Sequence, residues 1–401
     1  MAEVTNYIDR LVAELCPDGV EYRPLGELLG YEQPTKYLVS SKDYDDSYPT
    51  PVLTAGKTFI LGYTNETEGI YPASKEEPVI IFDDFTTAFK WVEFPFKAKS
   101  SAMKMLTLKS GNNSLFKYVY YAMQCIVYNS SDHARQWISK YSNIEVPVPP
   151  LEIQEAIVEI LDKFTNLEAE LEAELEARTL QYEYYRDSLF EALDCPRVSL
   201  GELGKFYGGL KGKTKNDFGS SGARYISYKN VYENISADFT WPDFVQVKEG
   251  ENQLSLMKGD ILLTGSSENM EEAGLSSVVT KEPEEKAYLN SFSICYRLND
   301  PSILNPEFSK YLFRSRLARK QIIRTAQGVT RFNVSKKKLA NVSIPIPSLE
   351  EQQRIVDILD RFDALTSSLS EGLPAELAAR RSQYEYYRDQ LLSFPRKGDN
   401  Q

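Results

Sequence analysis

The chain has 401 residues, 42% hydrophobic and 26% charged, with 21 Gly and 20 Pro. That length predicts two or three domains, and that composition excludes an intrinsically disordered chain. No run of about 18 apolar residues occurs, and the opening MAEVTNYIDRLVAELC carries acids where a secretory signal has bases; neither a membrane span nor a signal peptide is expected, and a cytoplasmic protein is. The cysteines, Cys16, Cys125, Cys195 and Cys295, lie far apart and form no Cys-x-x-Cys, which argues against a zinc knuckle or a disulfide framework and for a reducing compartment. His133 is the single histidine, which leaves no material for a multi-histidine metal site or a histidine triad.

The formal net charge of −12 argues at first against a nucleic-acid binder, but its distribution reverses that impression. After a short helical segment at 1–19 comes a domain over 20–150 with apolar runs such as VIIF at 79–82, separated by Gly, Pro, Asn and Asp. Within it, residues 94–140 hold seven Lys/Arg against one acid. Apolar residues then recur every three or four positions, at Ile153, Ile157, Ile160, Phe164, Leu167, Leu171, Tyr182, Tyr185 and Leu189, which predicts a long helix over 151–195 with a coiled-coil seam. Residues 151–193 hold twelve acids against three bases. They would span roughly 65 Å at ~1.5 Å per residue. Residues 167–178 read LEAE-LEAE-LEAR, a tandem of strong helix formers. A second domain follows over 196–348, with DILLT and SICYRL, and carries six Lys/Arg against one acid at 205–231 and ten against one at 301–348. The last segment, 349–401, is again helical, with a break expected near 372–374 where Gly372 and Pro374 fall.

The chain repeats itself, in order. QYEYYRD at 181–187 returns unchanged at 383–389; VEILDKF at 158–164 returns as VDILDRF at 356–362; VPVPPLEIQ at 146–154 returns as SIPIPSLEEQ at 343–352; LGEL at 25–28 returns at 200–203. The offset is 175 residues at Leu25, 198 at Pro147 and 202 at Gln181, so the interiors have diverged in length while the module ends match. The architecture this predicts is α+β: two β-rich α/β domains joined by two long antiparallel coiled-coil helices, a repeat with a pseudo-twofold axis.

These motifs closely resemble the specificity subunits of type I restriction–modification systems. The resemblance covers the whole chain, and the paired QYEYYRD is its most specific element; FYGGLKGKTKNDF, YISYKNV, LNSF and QGVTRFNVSKKKLANVSIPIP also look typical. It implies that each variable domain is a target-recognition domain reading one half of a bipartite site in double-stranded DNA. It further implies that the helices separate the halves and dock two modification (methyltransferase) subunits, and that restriction/translocase subunits join the complex. The chain itself would be non-catalytic and hold no cofactor or metal; S-adenosylmethionine, ATP and Mg would belong to the partner subunits. No membrane partner is implied. The unlike helices, the second carrying SEGLPAEL, stand apart from strict twofold symmetry.

Base edges are read by Arg, Lys, Asn, Gln, Ser and Thr on shaped loops. The candidates in the first domain are Lys97, Lys99, Ser100, Ser101, Ser130, His133, Arg135 and Gln136. In the second they are Lys211, Lys213, Thr214, Lys215, Tyr228, Lys229 and Asn230, then Gln327, Thr330, Arg331, Asn333, Lys336 and Lys337. The competing reading for each is a solvated loop charge or a phosphate contact. On QYEYYRD, Tyr182 and Tyr185 suit the seam, and Tyr184, Arg186, Tyr386 and Arg388 are assigned to subunit docking. Asp83-Asp84 and Glu284-x-Lys286 suggest a metal-dependent nuclease, and NPEF at 305–308 a self-sufficient DNA-modifying enzyme, but each lacks the rest of its constellation. GGLKGKT lacks the first Gly of a P-loop. A coiled-coil scaffold without DNA is the remaining alternative, and the basic domains oppose it.

Overall fold

The computed structural model describes residues 2–56, 58–111, 114–128, 134–367 and 372–398. The chain divides into two compact units, 1–170 with 377–401, and 171–376. Among the described residues no helix is long and apolar enough to cross a membrane.

In the first unit the apolar run VIIF lies in the strand Val79–Asp83. It pairs antiparallel with Met103–Leu108 on one side and Phe89–Val92 on the other, and Leu29–Glu32 extends the sheet beyond Met103–Leu108. Successive side chains of a strand point to opposite faces. Ile80 and Phe82 accordingly enter one core with Tyr118, Val119, Ile153 and Ile157. Val79 and Ile81 enter another with Leu53, Phe96 and Ala98. A strand covered on both faces reads as a continuous apolar run. The second core is closed by a smaller sheet, Ile60–Thr64, Thr50–Leu53 and Lys97–Ala98, in which the last pairing is parallel.

The second unit repeats this plan. Its main sheet runs Gly204–Gly208, Ser293–Leu298, Ile261–Thr264 and Ser276–Val278, all antiparallel. Ile261 and Leu263 face the core that holds Phe308, Tyr311, Ile355 and Leu359. Leu262 faces the other, with Ile226 and Cys295. A smaller sheet again ends in a parallel pair, Ala223–Ile226 with Ala287–Leu289.

The repeated motifs join each domain to its helix. Gln154, fully buried, accepts from Leu115 N at 2.9 Å and donates to Pro149 O at 2.7 Å. Gln352, also fully buried, accepts from Asn305 N at 2.7 Å and donates to Pro347 O at 3.0 Å. Tyr121 donates to Asp162 of the first ILD, and Tyr311 to Asp360 of the second at 2.6 Å. The phenylalanine after each ILD meets the tyrosines of QYEYYRD. Phe164 lies 6.4 and 5.7 Å from Tyr384 and Tyr387. Phe362 lies 6.5 and 5.4 Å from Tyr182 and Tyr185. In the first unit the pairing is antiparallel, since Glu168, beyond Phe164, reaches back to Arg381 at 2.6 Å.

Leu151–Glu191 is one unbroken helix of 41 residues. Its buried positions Ile153, Ile157 and Leu161 serve the domain core, whereas Leu167, assigned to the seam by its spacing, is exposed. The other helical segment is described as two helices, Leu349–Thr366 and Gly372–Leu391, and Pro374 sits in the first turn of the second, where its missing N–H has no bond to lose. Gly372 has φ of +82°, and a Cβ there would stand 2.5 Å from Ala364 O and 2.7 Å from Leu365 O. Only glycine fits that return.

Beyond the end of Val79–Asp83 stands Asp84. It pairs with Lys104 at 3.1 Å, and each side chain is 1% exposed. The other carboxylate oxygen accepts from Trp137 N at 2.8 Å. Removing one partner of a buried pair strands the other charge. Lys104→Met is therefore expected to lower the unfolding free energy of the first unit by about 3–5 kcal/mol, read by denaturant unfolding, with early loss of amide protection over 136–141. Stability within about 0.5 kcal/mol of the parent, the usual range for surface changes, would contradict it.

Candidate nucleic-acid interface

The residue beyond the central strand is a junction in both units. Asp84 N donates to Ala102 O at 3.0 Å, and Asp84 O accepts from Gln136 N at 2.8 Å. Gly265 N donates to Phe292 O at 2.9 Å, and Gly265 O accepts from Val334 N at 2.9 Å. Each junction thus ties the hairpin before the last main-sheet strand to the segment that leads back toward the long helix. A Cβ at Gly265 would stand 2.4 Å from Phe292 O, so the second unit admits no side chain there.

In the second unit this junction gathers polar and aromatic side chains. Ser266 and Ser267 pair with Asn333 and Phe332, and Ala326–Gln327 extends that small sheet. Arg331 donates from Nε and Nη2 to Ser266 Oγ at 3.2 and 3.1 Å. Tyr228 Oη donates to Ser266 O at 2.8 Å and stacks with Tyr232 at 6.4 Å. Tyr228, Lys229, Tyr232, Ser266, Phe292 and Arg331 share the lining of a cavity of about 530 Å³. Gln327 and Asn333 are exposed on that small sheet and Thr330 on its turn, and Lys336 and Lys337 on the helix that follows. Burial of its stem, then the neighbouring Lys211 ammonium, push the Lys336 pKa down from the ordinary lysine value. Lys211 and Lys215 are exposed.

Other candidates in this unit are committed to the fold. Asn230 is buried, donating to Asp238 O at 2.6 Å and accepting from Asp238 N at 3.1 Å, so its amide faces its own loop rather than a ligand. Lys213 is almost wholly covered and donates to Glu251 and Gln246 O, each at 2.6 Å. That hydrogen bond leads the effects that hold the Glu251 carboxyl down at about 2. Thr214 caps a short turn through Asp217. The basic run 301–348 is likewise spent in part. Arg314 donates to Ser276 O, Val231 O and Tyr232 O, and burial lowers its pKa to about 10. Arg319 holds Gly274 O and Ala273 O, Arg316 pairs with Glu191, and Lys310 with Glu307 and Asp360.

In the first unit Lys97 pairs with Glu66 at 2.7 Å, donates to Glu68 O at 2.7 Å and is buried, which removes it from any surface. The same hydrogen bond leads the effects that depress the Glu66 pKa. Gln136 is buried, accepting from Tyr128 Oη at 2.7 Å and donating to Ala134 O at 2.6 Å, and so serves the loop itself. Lys99 reaches Tyr44 Oη at 2.9 Å, and Ser100 Oγ accepts from Ala102 N within a turn. Ser101 and Arg135 are exposed. Ser130 and His133 lie outside the described residues.

On the helices Tyr184 and Tyr386 are 69% and 58% exposed. Arg186 and Arg388 instead fold over Tyr182 and Tyr384, at 5.5 and 5.7 Å, and pair with Asp187 and Asp389, which shields their heads from a partner. Asp83 accepts from Phe85 N and Thr86 N, closing a turn, and Asn305 of NPEF caps the helix Pro306–Leu312. Among the described residues no cluster of three His, Cys, Asp or Glu is placed to hold a metal ion. Ser266 and Phe292 join the candidates here; LNSF carries a signal for Phe292 in the sequence, but nothing there marks Ser266 as the support of Arg331.

The family model described as the type I restriction modification DNA specificity domain matches residues 17–177 and, again, 194–379. The type I restriction enzyme EcoR124I/EcoR124II specificity subunit of Escherichia coli is 45% identical over 419 residues, covering 98% of each chain. A putative type I restriction enzyme specificity subunit of Haemophilus influenzae is 29% identical over 400 residues, covering 94% of this chain and 96% of the other. One chain from a structure concerned with complex assembly and conformational transition of the type I R-M system superposes with a TM-score of 0.57 at 16% identity, over 95% of this chain and 98% of that one, and so shares the fold.

On double-stranded DNA the candidate side chains are expected to differ in role. Arg331, fixed by Ser266, suits a bidentate base contact, and Arg331→Ala is expected to cost specific binding about 1–3 kcal/mol and to relax discrimination at one base pair. Lys337, exposed at a helix start, suits a phosphate, and Lys337→Ala should weaken binding evenly across sequences and flatten its salt dependence. Competition binding over a salt series distinguishes them; identical behaviour of the two variants would refute the division.

Proposed function

The chain belongs to the family of type I restriction modification DNA specificity domains, and from that premise we propose that it reads DNA for a type I restriction–modification complex. Each unit reads one half of a bipartite site in double-stranded DNA. The long helices set the unread spacer and dock two modification subunits through surfaces that include Tyr184 and Tyr386, and restriction/translocase subunits join that assembly. Chemistry, with its S-adenosylmethionine, ATP and Mg, belongs to those partners; this chain contributes recognition.

One observation carries the reading. The two units share strand order and junction geometry, yet the junction is built from Asp84 and Ala102 in one and Gly265 and Phe292 in the other. A constant frame presenting different side chains is what independent reading of two sequences requires. Exchange of residues 20–148 for the matching domain of another family member tests it. Mapping of methylated sites should find one half of the site changed and the other retained; a change in both halves would overturn the reading.

The LEAE tandem supplies a second test, of spacing. Leu171–Glu174 lies inside the unbroken helix Leu151–Glu191. Deleting it removes roughly 6 Å of helix at ~1.5 Å per residue, close to two base pairs at ~3.4 Å each. The turn overshoots by ~40°, since four residues exceed 3.6. The deletion should leave both half-sites unchanged and shorten the spacer by about one or two base pairs, some of the change being absorbed by bending. An active deletion variant that keeps the original spacer would refute the ruler.

A further inference from the structure

We propose that Phe292 is a specificity-determining residue that packs against the 5-methyl group of a thymine, at a base pair adjacent to the one addressed by Arg331. The inference rests on the DNA-reading assignment and deepens it at one position. Phe292 is an apolar ring 62% exposed to solvent. Its backbone is held firmly: N donates to Asn290 Oδ1 at 2.9 Å, and O accepts from Gly265 N at 2.9 Å. Asn290 is itself buried and donates to Ile226 O at 3.0 Å and Ser293 Oγ at 2.9 Å. The fold therefore presents this ring on a fixed hairpin. The scaffold does not need it, because Ala102 occupies the same junction position in the first unit.

The surroundings specify the ligand. Phe292 shares its cavity with Arg331, whose guanidinium is steadied by Ser266, and with Lys229, a mostly exposed side chain whose ammonium lies 3.6 Å from Glu233. Glu233, Glu268 and Glu272 line the same cavity, and Glu233 offsets the charge of Lys229. Carboxylates repel phosphate, so the cavity suits base edges rather than the backbone. In the major groove guanine offers two acceptors to an arginine fork, and thymine alone offers a methyl group. A ring beside a fixed arginine matches that pair of features. Burying one methyl is worth about fourfold in affinity.

The test uses the chain assembled with its modification subunits, on duplexes carrying the mapped recognition site, with each thymine replaced in turn by deoxyuridine. For the parent complex one replacement should weaken binding about fourfold. Phe292→Ala should bind the thymine and deoxyuridine duplexes equally at that position, and Phe292→Leu should restore part of the difference. Specific binding in which Phe292→Ala keeps every thymine–deoxyuridine difference, or in which no thymine methyl matters to the parent, would overturn the contact alone. Absence of specific, salt-dependent binding by the parent would overturn the DNA-reading assignment and this contact with it.

Discussion

Each unit turns on a strand that is buried on both faces and stops at a residue whose N–H and C=O are both claimed by loops. A backbone group so placed cannot be left unpaired without cost, and here it fixes two loops to the rigid centre of the sheet. Loops are where recognition residues sit, and their usefulness depends on being held by a frame that does not move. The two junctions achieve this differently. In the first, a buried carboxylate takes a backbone N–H and a buried ammonium. In the second, glycine brings the backbone of Phe292 within bonding range, and the polar work passes to Ser266, held by Tyr228 and Arg331.

The internal repeat now has a physical content. Each returning residue occupies a joint: glutamine seals the start of the helix to the domain, aspartate takes a tyrosine hydroxyl from the domain, and phenylalanine meets two tyrosines of the QYEYYRD motif. Such joints tolerate little change, because a buried amide or hydroxyl without its partner is destabilising. Surface loops between them bear no such constraint. The continuity of the long helix after the first domain was legible from spacing alone. The sequence also marked Gly372 and Pro374 as the place of a break, and Gly372, with its left-handed backbone close to the carbonyls of Ala364 and Leu365, begins the second of the two helices.

Site residues were less legible, and the reason is specific. Counting lysines and arginines along the chain registers charge, and charge does not say what it is paired with. Lys97 and Lys213 looked like the exposed bases beside them, but each has a glutamate some thirty or more residues away in sequence. Arg314 and Arg319 swell the basic run and are consumed by carbonyls of distant loops. Gln136 and Asn230 have the right chemistry for a base edge and turn inward. Arg331 is exposed, and its partner Ser266 lies 65 residues earlier in the chain. Long-range pairing of this kind leaves no local pattern.

The same separation explains how a reader can change its text while keeping its place in an assembly. Residues that join domain to helix and helix to helix are buried and coupled, so a substitution there propagates. Phe292 and Val329 are exposed and make no side-chain hydrogen bond to the frame, so their side chains can be exchanged with little effect on it. Ala102 standing where Phe292 stands illustrates the point within one chain. On the proposed reading, new base preferences would arise by single substitutions at the loop ends, while Tyr184 and Tyr386, exposed on the repeated motif, would stay as they are. A frame whose stability resides in its joints leaves the loop side chains available to recognition.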